Sequence, residues 1–348
     1  YSKYGYATSV LRGQDTGEKT RILREMTQAQ DRRLVGNAKL MEAQLDSADD
    51  AVALEAIWAI GEVARRTARS IEMMENGADG GEWVYDLNQY LQQQVAPVLE
   101  RRIPVLRDGG PQAPALVYAL TAMQSTTGHK AIRDILQSNT GDSETVRQII
   151  LAVGEQRNLA LVGSILGVLE SGTSEQVILI AYAVGRVFGM DTTDYSIVCA
   201  RSTGALRIRC GILEDALDKS TAGFLAALER FDPATDEGLA VHCAVMDSLQ
   251  RSRPVTASEP LMKAFDDIQP VDLRCPRQTI RQPFQGEELH SVSEEYREKV
   301  IKTLASIAQG NEPVQGWLRE RSQDDTVASG LRADMRHILQ VIDERNAR

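Results

Sequence analysis

Residues 142–155 read DSETVRQIILAVGE, residues 173–186 read TSEQVILIAYAVGR, and residues 49–62 read DDAVALEAIWAIGE. Each opens on polar turn residues, runs through an Ala/Ile/Val-rich helix and reaches a β-branched residue followed by glycine, at Val153-Gly154, Val184-Gly185 and Ile60-Gly61. The two later copies lie 31 residues apart, and Leu120-Thr121 falls at the same phase 33 residues before Val153. That interval is the length of one helical hairpin. A unit of this size cannot bury its apolar face alone, so copies must stack and share a continuous core. The expected fold is all-α, a right-handed α-solenoid of stacked antiparallel helical hairpins.

Composition agrees with helices. Hydrophobic residues make up 43% and charged residues 25% of 348, as in a chain that folds throughout. Only 5% is aromatic, so packing through Ala, Leu, Ile and Val is expected rather than sheets. A net charge of −10 repels phosphate backbones and anionic lipid heads, which makes nucleic acid an unsuitable main partner. No stretch approaches the roughly 20 apolar residues of a membrane span, so a soluble protein is expected. The chain begins at Tyr1 rather than Met, as a processed exported protein would, or one shortened for expression. An exported, periplasmic setting is favoured over a cytoplasmic one.

Working outward from the quoted repeats, hairpins are predicted at about 96–107 with 113–124, 129–138 with 143–156, and 158–170 with 174–188. Breaks such as Asp108-Gly109-Gly110-Pro111 supply the glycines and caps that end one helix and start the next. Before them lies a degenerate unit over 18–95, preceded by a polar arm over 1–17 without period, whose sticky residues are Tyr4 and Tyr6. After residue 190 the Val-Gly mark is lost, and divergent helices are expected near 203–217, 219–231, 236–250 and 257–268. An irregular loop insertion follows at 268–292, with Pro270, Pro276 and Pro283, and helices over 293–348 cap the array.

The phrase from Ile132 to Glu155, with Val146-Arg147 after a turn Asp and a small residue and an acid at its end, resembles a HEAT repeat. The short period is similar to the compact bacterial HEAT-like, phycobilisome-lyase type. Residues 45–62 and 169–186 match in outline but lack the Arg. The resemblance implies an α-solenoid and, for most members, a protein-binding scaffold; some short-repeat relatives are bilin lyases.

Stacked repeats put equivalent positions in rows, and Trp58, Tyr118, Leu151 and Tyr182 share one phase. Such a row lines a groove or, as is commoner for large apolar side chains, forms core. His129, His242, His290 and His337 are scattered, without a ligand pair or an adjacent nucleophile, so neither catalytic nor metal residues are assigned and no cofactor is expected. Cys210 and Cys243 lie one repeat apart and read as equivalent buried positions rather than a bond. Cys199 and Cys275 sit in irregular segments and are the disulfide candidates. Arg274, Arg277 and Arg281 form the basic cluster of an acidic chain, on a segment whose prolines forbid a helix. They either fork onto the carboxylates of a partner or pair with the chain's own acids.

The leading expectation is a non-enzymatic scaffold or adaptor that binds another protein or a multi-protein assembly, with a small-molecule ligand disfavoured. A structural subunit of an exported or envelope assembly is the first alternative, and a bilin-lyase-like HEAT enzyme the second.

Overall fold

A computed structural model describes residues 3–75, 80–123, 125–138, 143–189, 204–267, 273–281, 288–290 and 293–347, without the side chains of 3, 4, 75, 138, 143, 204–210, 281 and 288–290. The described chain is helical apart from one short two-stranded ribbon. Contacts divide it into two units, Tyr1–Leu161 and Val162–Arg348, whose boundary lies inside a helix. The sequence reading runs one domain through this point.

The first unit opens with α1 (Lys3–Arg12), α2 (Thr16–Met26) and α3 (Arg33–Glu42). The expected arm over 1–17 is therefore corrected. Ala7 and Leu11, one turn apart, give residues 3–12 an apolar stripe that packs on α2 and α3. Next come α4 (Asp50–Glu75) and α5 (Trp83–Tyr90), which runs through a π-helical turn at Leu91–Val95 into α6 (Ala96–Glu100). The expected single helix over 96–107 divides, because Pro104 opens a separate α7 (Pro104–Asp108), which ends on Gly109 at φ 67°. There follow α8 (Ala113–Met123), α9 (Thr126–Ser138), α10 (Ser143–Gln156) and the boundary helix α11 (Leu159–Leu166).

The core of this unit is a row of helices: α4 packs on α8, and α8 on α10. Ala113 and every residue from Ala115 to Met123 of α8 are buried. The glycine of the repeat mark lies at the first of these contacts. A Cβ on Gly61 would lie 2.7 Å from Tyr118 Cδ1 and 3.1 Å from Ala119 Cα, so only glycine lets α4 approach α8 this closely. Buried polar groups are matched between helices. The Asn158 side-chain amide donates to Thr121 O at 2.9 Å and contacts His129 Nε2 at 3.1 Å.

The second unit contains α12 (Ser174–Phe188), α13 (Gly204–Arg230), α14 (Asp236–Ser252), α15 (Ser258–Asp267), α16 (Tyr296–Ile307), α17 (Glu312–Arg321) and α18 (Ser329–Asn346). A capping box at Thr173 and Gln176 starts α12, and Thr235 caps α14 through Gly238 N at 3.0 Å. The two helices expected near 203–217 and 219–231 are one. No Gly or Pro separates them; Lys219 pairs with Asp215 at 2.7 Å, and the Ser220 and Thr221 hydroxyls fold back to Leu217 O. Again a row forms, α12 on α14 and α14 on α16. Gly185 faces Ser248 of α14, but here an added Cβ would meet Ser248 Cα at 3.4 Å, the edge of ordinary contact.

Candidate functional site

Within the segment expected as an irregular loop over 268–292, the structure corrects the expectation at 279–281 and 288–290, which form a two-stranded antiparallel hairpin ribbon. Strand β1 (Thr279–Arg281) pairs antiparallel with β2 (Glu288–His290), placing Thr279 opposite His290, Ile280 opposite Leu289 and Arg281 opposite Glu288. Five residues before Thr279, Arg274 bridges Glu295 in the same register. That outer rung is closed by Cys275 N donating to Glu294 O and Tyr296 N donating to Leu273 O, both at 2.9 Å. Pro276 has no N–H to give and falls between the rungs, which keeps the register while interrupting the ladder. Residues 268–272, 282–287 and 291–292, with Pro270 and Pro283 among them, lie outside the described residues.

An isolated two-stranded ribbon is marginal in water, so what holds it matters. Cys275 is bonded to Cys243 of α14, with Cα atoms 5.8 Å apart. The expectation that Cys243 is a free buried thiol equivalent to Cys210 is thus corrected: on α14 it faces the incoming strand, and geometry rather than repeat spacing selects its partner. Cys199 and the Cys210 side chain lie outside the described residues. Gln278 Nε2 donates to Ala240 O at 2.7 Å, a second tie to the same helix.

The return strand is fixed by charge. Lys299, 3% exposed, places its ammonium 2.6 Å from Asp247 Oδ1 and 2.7 Å from Glu294 Oε1, and Lys302 takes the other Glu294 oxygen at 2.7 Å. Burial acts to raise the Glu294 pKa, but the two ammoniums outweigh it and the carboxyl titrates below its ordinary range. Just beyond, the Tyr296 hydroxyl lies 2.8 Å from His242 Nδ1. His242 Nε2 faces Leu228 O at 3.0 Å and Phe231 O at 2.8 Å. Two carbonyl acceptors require the proton on Nε2, so Nδ1 accepts from the tyrosine, and burial lowers the imidazole pKa.

On this frame Arg274 and Arg277 are both exposed, whereas Cys275 between them is buried. Neither guanidinium has an ion pair or hydrogen-bond partner among the described residues. Other arginines of this chain do find carboxylates: Arg24 forks onto Glu55 at 2.7 Å, Arg65 onto Glu62, and Arg321 reaches Asp266 and Asp324. Arg281 is in β1, and its side chain lies outside the described residues. Two planar forks on a braced segment are suited to receiving carboxylates.

The remaining sequence candidates are dispersed. Tyr6 on α1 is 49% exposed, with its hydroxyl 3.4 Å from the Arg21 guanidinium; the Tyr4 side chain lies outside the described residues. In the first unit the aromatic row is half core. Tyr118 is buried with its ring centroid 5.3 Å from that of half-buried Trp58, and its hydroxyl donates to Glu62 at 2.9 Å. Burial, and then the Glu62 carboxylate, push the Tyr118 pKa up. Leu151 is fully buried, and Tyr182 is half-buried on α12 of the second unit. Sequence reasoning passed over Gln278, Lys299 and Tyr296. The one signal for them was the acid-rich run ending at Glu295 beside an apolar helix start.

No family model matches the chain, and no curated protein matches it. Among solved structures it is similar to the crystal structure of an engineered protein, at 10% sequence identity over 99% of each chain and with a TM-score of 0.27. At that score the likeness fixes neither fold nor function.

Proposed function

We propose that this chain is a non-enzymatic interaction scaffold that holds an acidic protein partner through the Arg274 and Arg277 edge of its hairpin. The observation that carries this reading is the pair of exposed guanidiniums, without a partner among the described residues, on a segment tied to α14 by Cys275 and Gln278. In a chain with 49 acids against 39 bases, arginines left without a carboxylate are available to one from outside. Bracing reduces the entropy lost when a partner docks.

The helix rows α4, α8, α10 and α12, α14, α16 support a HEAT-like stack of hairpins as the scaffold's architecture. The Cys243–Cys275 bond favours an oxidising compartment, such as the periplasm or an extracellular space, because cytosolic thiols are kept reduced. No described helix is long and apolar enough to cross a membrane. The experiment is co-purification from the native source with the wild-type chain and with the double variant Arg274→Gln/Arg277→Gln. An acidic protein recovered with the first and lost with the second supports the proposal. Equal recovery of the same proteins by both removes it.

A further inference from the structure

Between the Arg274 bridge and β1, the segment touches α14 at two points three residues apart. Cys275 reaches Cys243, and Gln278 reaches the Ala240 carbonyl. A flat strand turns alternate residues to one side, so residues 275 and 278 would face opposite ways. An extended segment with three residues per turn brings them to the same side, and Pro276 presets the backbone for it. Arg274 and Arg277 each precede one of these ties by one residue, so the same period turns both away from α14 on a common face. Their exposure agrees, as does the burial of Cys275. Three residues at about 3.1–3.4 Å per residue put the two Cα atoms about 9–10 Å apart.

Resting on the proposed role of this edge in holding an acidic protein, we infer that Arg274 and Arg277 act as a two-toothed comb that reads carboxylates recurring at this interval along an extended peptide. A partner segment in the polyproline conformation with Asp or Glu at every third position repeats at about 9 Å on one face and matches both teeth. Acids at adjacent positions project to different sides of such a segment and match this spacing less well. The match is electrostatic, so it weakens with salt.

The test uses fluorescence anisotropy of two short labelled peptides of equal composition on the oxidised full chain. One is a repeat of Glu-Pro-Pro; the other has its glutamates together at one end. The comb predicts tighter binding of the repeat by about three- to fivefold per tooth. Arg274→Gln or Arg277→Gln then brings the repeat down to the level of the clustered peptide, and Arg33→Gln, an exposed arginine of the first unit that pairs with Asp31, leaves it unchanged. Equal binding of both peptides, weakened alike by either hairpin variant, overturns the spacing while leaving an acidic partner for the hairpin intact. Binding of neither peptide, or binding indifferent to both arginines, overturns the comb and the proposed role together. Inorganic polyphosphate bound through both arginines while the peptides are ignored overturns the peptide as ligand.

Discussion

Gln278 donates its side-chain amide to the Ala240 carbonyl at 2.7 Å, three residues ahead of the helix cysteine that bonds Cys275. The hairpin thereby rests on α14 at two neighbouring points, one covalent and one not, and each has its own consequence.

The Cys243–Cys275 bond closes a sequence separation of 32 residues. Loop-closure entropy for that length is about 3–4 kcal/mol. The double variant Cys243→Ser/Cys275→Ser is expected to lose about that much in urea unfolding and to be cut by protease within 273–281 while the helices resist. Gln278→Ala, which keeps the bond, is expected to lose about 1 kcal/mol. An unchanged proteolytic pattern in the double serine variant contradicts the bracing.

His242 links three elements, with Tyr296 on Nδ1, the Leu228 and Phe231 carbonyls on Nε2, and the Asp232 carboxylate as the charged group acting on it. Burial holds its pKa below the ordinary 6.5, and His129 is lowered by burial as well. Below pH 6.5 the unfolded chain takes up protons that the folded chain refuses, so stability falls as pH falls from that value; above it these groups add no slope. Urea midpoints between pH 7.5 and 5.5 should show this decline, and His242→Gln should reduce its slope while the His129 share remains. A decline of the same slope in the variant removes His242 as its source.

The repeat-mark glycines differ in what surrounds them. Gly61→Ala forces a Cβ to 2.7 Å from the Tyr118 ring and 3.1 Å from the Ala119 backbone, and about 1–3 kcal/mol of destabilisation is expected. Gly185→Ala meets nothing nearer than 3.4 Å and gains helix propensity, so a change between zero and about 1 kcal/mol of stabilisation is expected. Thermal unfolding of both variants decides, and the same sign for both would count against the close approach of α4 and α8.

Lys299→Met leaves Glu294 and Asp247 without their shared ammonium. Asp247 is partly exposed and recovers water, so the loss is expected at about 2–3 kcal/mol rather than the full penalty of an orphaned buried pair. Denaturant unfolding measures it. A loss below about 0.5 kcal/mol, the size of a surface substitution, contradicts the role of this lysine in fixing the return strand.

What the sequence discloses follows the range of the interactions concerned. The helices over 143–156 and 174–188 lie where the apolar period and the polar caps put them, because both signals are local. The break expected between 217 and 219 falls beside a polar run, and the Ser220 and Thr221 hydroxyls of that run bond back to Leu217 O inside the helix α13. The hairpin is hidden for a different reason. Its partners stand seven or more residues apart across a segment whose prolines suggest a loop, and pairing at that distance leaves no period. The spacing of Cys210 and Cys243 imitates a repeat, so the true partner of Cys243 is masked by a coincidence of period. The arginine cluster is visible from charge alone, but whether Arg274 and Arg277 pair with acids among the described residues depends on where those acids fold, which leaves no period in the sequence.

The most direct test of the central claim is hydrogen exchange on the oxidised chain, alone and with the acidic partner recovered from the native source. Added protection over residues 273–281, absent from the complex formed with Arg274→Gln/Arg277→Gln, is the predicted result. Protection confined to other elements, with the hairpin exchanging as in the free chain, would contradict the account.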